Sequence, residues 1–293
     1  MFIATLIASG NLTGGDISAA RDLLDEAGCL PAAQGWLDEG FAADIMFGLA
    51  PDAARTALEG AFPATDLVVQ PAQGRRKHLL VADMDSTMIT VECIDELADY
   101  AGIKPQIAAV TEAAMRGELD FESALDARVA LLKGLEEAVI ERCLAERVKI
   151  MPGAVALIRT MRGWGATAIL VSGGFTRFAE PVAATIGFNR AIANRLELAD
   201  GLLSGLVTKP IVGSDTKECT LVEATAELLL PPEATLAVGD GANDLAMIKR
   251  AGLGVAYHAK PIVAAAAAAR IDHNDLTALL YAQGIARKDW VVT

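Results

Sequence analysis

From His78 onward, short apolar runs alternate with helical stretches, and this alternation constrains the fold more than any other feature of the chain. The runs are His78–Ala82, Ala166–Val171, 189–193, Thr235–Val238 and Gly254–Ala256. Each has the length of a strand. Between them, at 152–162, 175–186, 217–229, 244–251 and 262–269, apolar residues recur at helical spacing. Runs that are apolar throughout, rather than at every second residue, belong to strands covered on both faces. The pattern therefore predicts an α/β fold with a doubly wound, mainly parallel sheet. A hairpin at 196–207, turning on Asp200-Gly201, interrupts it.

Two further regions flank this sheet. From Glu92 to about Met151 there is no convincing strand; helices are read at 92–101, 105–116, 121–133 and 135–147, punctuated by Gly102, Pro105, Gly117 and Gly134. A helical insertion at about 92–150, placed after the first strand, is a natural cap over the strand ends. Before the sheet, 1–70 reads as strand (2–8), helix (17–27), two strands within 34–49 turning at Asp38-Glu39-Gly40, helix (51–62) and strand (66–70). The order β-α-β-β-α-β predicts a ferredoxin-like α+β domain. It resembles ACT-type regulatory domains in pattern only, and packing or homodimer formation is expected ahead of amino-acid sensing. Residues 71–77, with Pro71 and Gly74, read as the linker to a second domain, 78–293.

Composition narrows the function classes. A net charge of −13 argues against a nucleic-acid partner, which selects a basic face. An anionic ligand must then be drawn in by local charge or by a metal. The four cysteines, at 29, 93, 143 and 219, form no CxxC pair, which suits a reducing cytoplasm. The apolar start Met1–Ala8 lacks the basic region of a secretory signal, and no apolar stretch approaches the roughly 18 residues of a membrane span. A soluble cytoplasmic protein is expected.

Four strand ends carry the chemistry. They are Asp83-Met-Asp85-Ser-Thr87, Ser172-Gly-Gly174, the helix start at Lys217, and Gly239-Asp-Gly-Ala-Asn-Asp244. Open α/β sheets bind ligands at the carboxyl ends of strands. Asp83 is placed to attack phosphorus and form an aspartyl-phosphate. Asp85 can protonate the leaving alkoxide and then deprotonate water. Asp240 and Asp83 offer hard oxygen ligands suited to Mg²⁺. Ser172 and the Gly173 amide can donate to phosphate oxygens, and Lys217 supplies positive charge, with Lys209 the alternative. Asn243 and Asp244 can orient Lys217 or a metal-bound water. His78, His258 and His273 are scattered without zinc spacing. Neither a GxSxG elbow nor a GxxxxGK[ST] loop is present.

This ordered set resembles the haloacid-dehalogenase-like phosphohydrolases. The stretches Glu92-Cys-Ile-Asp-Glu96, Thr111–Phe121, Ser172–Phe175, Val238–Asp244 and Ala256–Pro261 narrow the resemblance to the phosphoserine phosphatase family, over about 78–280. It implies Mg²⁺-dependent hydrolysis of O-phospho-L-serine, the last step of serine biosynthesis, with a small-molecule substrate as partner. It also implies that Glu92 holds the substrate ammonium and Arg128 its carboxylate. Met115 and Phe121 would form an apolar lid, Asn243 would bind substrate, and the Asp85 backbone carbonyl would join the metal ligands. Two alternatives stand beside it: phosphoryl transfer to another alcohol such as homoserine, and an amino-acid-responsive regulator with a dead phosphatase fold.

Overall fold

Two principal sheets follow one another along the chain in the computed structural model, which describes residues 1–116 and 118–292, the side chain of Met115 excepted. The first comprises β1 (Phe2–Ala8), β2 (Pro31–Asp38), β3 (Ala42–Phe47) and β4 (Thr65–Pro71), with α1 (Gly14–Glu26) and α2 (Pro51–Leu58) as crossovers. Its order is β2-β3-β1-β4, and every pairing is antiparallel. Helix α1 starts earlier than its apolar periodicity suggests because Thr13 caps it. The Thr13 hydroxyl accepts the Asp16 N–H at 3.2 Å, and the Asp16 carboxylate accepts the Thr13 N–H at 2.8 Å.

Strand alternation splits β1 between two cores. Ala4, Leu6 and Ala8 face Ile17, Ala20 and Leu24 of α1, whereas Ile7 joins the large core of the second sheet.

That second sheet is built from β5 (Leu79–Ala82), β6 (Thr167–Phe175), β7 (Arg190–Asn194), β10 (Thr235–Gly239), β11 (Leu253–Tyr257) and β12 (Ala269–Ile271). Strands β8 (Leu196–Ala199) and β9 (Leu202–Val207) form a separate hairpin. The order is β12-β11-β10-β5-β6-β7, parallel throughout. The chain winds one way from β5 to β7 and the other way from β10 to β12. The switch point thus lies between β5 and β10, where such sheets place their ligands.

Helices α7 (Ala154–Gly163), α8 (Thr176–Ile186) and α12 (Ala278–Ala282) cover one face of the sheet. Leu157, Phe178 and Leu279 pack there with Leu80, Leu170 and Val238. The opposite face carries α9 (Ser214–Glu227) and α10 (Leu245–Arg250), whose Leu221, Ala224 and Met247 pack on Leu79, Val81, Ile169 and Ala237. The insertion forms α3 (Cys93–Tyr100), α4 (Lys104–Met115), α5 (Phe121–Leu131) and α6 (Ala138–Glu146). The hairpin secures its base: the Gly134 N–H donates to the carbonyl of Leu203, and the Leu203 N–H donates to the carbonyl of Leu135, both at 2.8 Å.

The alanine-rich segment departs from expectation. Helix α11 runs only over Pro261–Ala266, and Ala269 already belongs to edge strand β12. Burial of Ala267, Ala269 and Ile271 overrides the intrinsic helical preference of alanine.

Residues 71–77 are held from both sides. Arg75 pairs with Asp44 of β3 at 2.6 Å and donates to the carbonyls of Ala282 (2.7 Å) and Tyr281 (2.9 Å). Buried Asp66 of β4 accepts the backbone N–H groups of Asp272 (2.8 Å) and Asn274 (3.0 Å).

Candidate active site

Asp83 follows β5 directly, and its N–H donates to the carbonyl of Val238 in β10 at 3.0 Å. The parallel register thereby continues one residue past the strand and fixes where the side chain emerges. Its Oδ1 accepts the Met84 N–H at 2.7 Å and lies 2.6 Å from Nζ of Lys217. Lys217 is completely buried, and the same ammonium is 2.6 Å from Oδ1 of Asp244. Burial works against its charge, but the two carboxylates outweigh that and raise its pKa above the usual lysine value. Lys209, by contrast, is an exposed residue paired with Asp126 at 2.6 Å. Of the two lysines, the structure brings Lys217 to Asp83.

The loop after β10 folds back on itself. Oδ2 of Asp244 accepts the Gly241 N–H at 3.0 Å, and a methyl group on Gly239 would land on the Asp244 carboxylate. Glycine is required at 239 for this close approach. Carboxylate oxygens of Asp83, Asp240 and Asp244 lie within 4.8 Å of one another. Burial, then the charges of Asp83 and Glu92, push Asp240 up to about 6, against the pull of Lys260 and the Thr87 hydroxyl. Three crowded carboxylates with a single buried ammonium among them form an oxygen-only donor set that fits a hard divalent cation. Since both Asp244 oxygens are already engaged by Lys217 and Gly241, Asp83 and Asp240 are the better-placed ligands.

Asp85 is half-buried, and its Oδ1 accepts the Cys93 N–H at 3.4 Å. Burial first, then the Glu92 and Asp83 charges, raise its pKa well above the usual carboxylate range. Surroundings that favour the protonated form of a carboxyl group suit it to donate that proton. Ser172 is buried, and its Oγ accepts the Gly174 N–H at 2.8 Å, which leaves its own O–H to donate elsewhere.

Cap and core enclose a cavity of about 400 Å³. Asp83, Asp85, Ser172, Gly173, Asp240 and Asn243 contribute its core wall; Glu92, Phe121 and Arg128 contribute its cap wall. Lys217 and Asp244 stand behind the wall rather than in it. The Ser86 hydroxyl holds Oε1 of Glu92 at 2.6 Å. Among the described residues Arg128 makes no ion pair. Its Nε donates to the carbonyl of Ala124 at 3.2 Å, and burial lowers its pKa although Asp95 and Glu92 oppose this. A half-buried guanidinium facing a cavity has the charge and the planar donor geometry to pair with a carboxylate. The lid role expected of Met115 falls on a side chain outside the described residues.

Sequence reasoning passed over three groups here. Buried Thr87 donates to Oδ1 of Asp240 at 3.2 Å; it was legible only as a hydroxyl after the carboxylates. Lys260 lines the cavity, and its N–H donates to the Asp240 carbonyl at 3.1 Å. Asn194 joins the end of β6 to the segment before α9 by hydrogen bonds to Gly173 and Val212, and nothing in its sequence context announces it.

The haloacid dehalogenase-like hydrolase family model matches residues 80–249. A phosphoserine phosphatase of Streptomyces coelicolor is 44% identical over 83% of this chain and 60% of its own length. The chain therefore spans less than two thirds of that relative. Among solved structures, a probable phosphoserine phosphatase from Vibrio cholerae is similar over 100% of this chain and 90% of its own, with 31% identity and a TM-score of 0.76. A phospho-aspartyl intermediate analogue of phosphoserine phosphatase is 37% identical over 70% of this chain and 98% of its own, with a TM-score of 0.65.

Proposed function

Because the chain belongs to the haloacid dehalogenase-like hydrolase family, we propose that it hydrolyses O-phospho-L-serine to L-serine and phosphate through an aspartyl-phosphate on Asp83. The observation that carries this reading is the meeting of two sets of groups on one cavity. Asp83, Asp85 and Ser172 on the core wall suit a phosphate ester, and Glu92 and Arg128 on the cap wall suit an ammonium and a carboxylate. The similarity to phosphoserine phosphatases agrees with it.

In this reading, the Arg128 guanidinium takes the substrate carboxylate and Glu92 the ammonium, which presents phosphorus to Asp83. Phe121, with Met115, closes the apolar lid over the seryl carbon. An oxygen of Asp83 attacks phosphorus as the ester P–O bond breaks, and the departing seryl oxygen takes the proton of Asp85. Ser172, the Gly173 amide and Asn243 hold phosphate oxygens, while Lys217 balances the growing negative charge and keeps Asp83 in line. Asp85, now ionised, removes a proton from water; the water oxygen bonds to phosphorus, the acyl–phosphate bond breaks, and Asp83 is restored. Mg²⁺, held by Asp83, Asp240 and the Asp85 backbone carbonyl, with Asp244 behind them, would supply positive charge to the phosphate group.

The same reading assigns the protein to the end of serine biosynthesis in the cytoplasm. Residues 1–70 serve as a ferredoxin-like packing or homodimer unit, joined through 71–77 to the catalytic unit 78–293. Unpaired Cys29, Cys93, Cys143 and Cys219 suit that compartment.

Phosphate release from O-phospho-L-serine, measured with and without Mg²⁺ and with and without homoserine, tests it. Release that needs Mg²⁺ and no homoserine is expected; serine formed only when homoserine is present, with phosphohomoserine in place of free phosphate, would replace hydrolysis by phosphoryl transfer.

A further inference from the structure

Asn194 closes β7 and is 1% exposed. Its Nδ2 donates to the carbonyls of Gly173 (2.9 Å) and Val212 (3.0 Å), and its Oδ1 accepts the Val212 N–H (2.7 Å). One buried amide thus ties the end of β6, which presents Ser172 and Gly173, to the loop leading into α9. Gly213 is the N-cap of α9, and its carbonyl accepts the N–H of Lys217 at 3.2 Å. The spacing of the Ser172–Gly173 segment and the lysine helix therefore runs through this side chain.

The cap meets the core at the same two segments. A methyl group on Gly173 would lie 3.1 Å from Cζ of Phe121, and one on Gly213 would lie 3.1 Å from Cε1 of the same ring. Gly213 has φ of −136°, which any residue can adopt, so it is the ring, not the backbone, that a side chain there would press against and have to shift by a few tenths of an ångström. The aromatic ring of the cap is seated between two glycines of the core.

We propose that Asn194 is a positioning residue that holds Gly173, at the end of β6, and Gly213, at the start of α9, at the spacing Phe121 needs, so that the cap seats only on a core whose Ser172–Gly173 segment and lysine helix are in register. This deepens the reading of cap and core given above and rests on it for what closure achieves. Replacing Asn194 leaves two carbonyls and an N–H without their buried partner, and the two segments are then free to part. Displacements near 1 Å at such a site are enough to cost on the order of a hundredfold in rate.

A double-mutant cycle reads the seat. Gly213→Ala should raise KM for phosphoserine about tenfold beside Phe121, and less than about twofold in a Phe121→Ala background. Equal effects in both backgrounds overturn the proposal. The second measurement is amide hydrogen exchange of 121–131 in the full chain, with Mg²⁺ and inorganic phosphate as the probe. Protection is expected in the wild type and its loss in Asn194→Ala and Gly213→Ala. Absent protection in the wild type, or equal protection in all three, also overturns it. Should Asn194→Ala not fold, Asn194→Ser, which keeps a polar side chain too short to span both partners, takes its place in the exchange comparison, and protection equal to the wild type there overturns the proposal. Should the wild type release no phosphate from phosphoserine, the substrate reading fails while the exchange comparison still judges the seat.

Discussion

The ammonium of Lys217 and the carboxylate of Asp244 are both sealed from solvent, and Nζ donates to Oδ1 over 2.6 Å. The same ammonium reaches Asp83 at 2.6 Å, so one cation serves two carboxylates of different purpose. Asp244 holds the lysine in place, and the lysine holds Asp83.

Lys217→Met should therefore damage stability as well as rate. Removing one member of a buried charge cluster costs about 3–5 kcal/mol. Urea unfolding at neutral pH should show a loss of that order, and Lys217→Met/Asp244→Asn should recover part of it. No recovery in the double variant would mean that the two side chains are not energetically coupled.

The acidic cluster predicts an effect of pH on metal binding. Asp240 has its pKa raised from 3.8 to about 6 in the folded chain, so between these values the folded state binds more protons than the unfolded one. The stability this group contributes is fully present below pH 3.8 and is lost as pH rises through about 6. A divalent cation competes with that proton. Thermal melting with and without Mg²⁺ should show a metal-induced rise in Tm that grows from about pH 5 to about pH 7. A rise independent of pH would remove Asp240 from the ligand set.

Asp85 should matter in proportion to how badly the leaving group needs a proton. Asp85→Asn is expected to lower kcat on phosphoserine by about 10²–10⁴-fold and much less on p-nitrophenyl phosphate, whose leaving group departs as a stable anion. Equal losses on the two substrates would point to a role in holding the loop.

Substrate choice should separate from chemistry at Arg128. Arg128→Ala should raise KM for phosphoserine by about 10–100-fold while an aryl phosphate lacking the carboxylate is little affected, because a charge-assisted hydrogen bond is lost only for the former. A parallel loss on both would indicate collapse of the cap.

The two sheets should unfold together. Arg75→Met strands Asp44 and the carbonyls of Tyr281 and Ala282 at the contact between them. Calorimetry should show one transition, shifted downward. Two resolved transitions in the wild type would show that the contact does not couple them.

Strand and helix alternation after His78 made the parallel sheet legible, because strands buried on both faces have no polar residues to disguise them. The four strand ends were legible for a related reason: carboxylates and glycines directly after apolar runs have few other uses together. What stayed hidden depends on partners distant in sequence. Asn194 looks like any strand-end amide until Gly173 and Val212 come to it. Lys260 follows β11, whose outer neighbour, the edge strand β12, was masked by alanines read as helix. Helix α12 has all five of its residues buried, but it is too short to show a period.

The position of β5 in its sheet has a consequence for how the protein is made. Its neighbours β6 and β10 are drawn from 167–175 and 235–239, so the strand leaves the ribosome long before either exists. The first sheet, complete by Pro71, needs no such wait. During synthesis the apolar segment Leu79-Leu80-Val81-Ala82 stays unpaired while the whole cap is translated behind it. Pairings so distant in sequence form slowly and leave such segments open to aggregation. Asp83 acquires its setting only when β10 docks, so the nascent chain carries this carboxylate beside an unpaired apolar strand until residues 235–239 have been made.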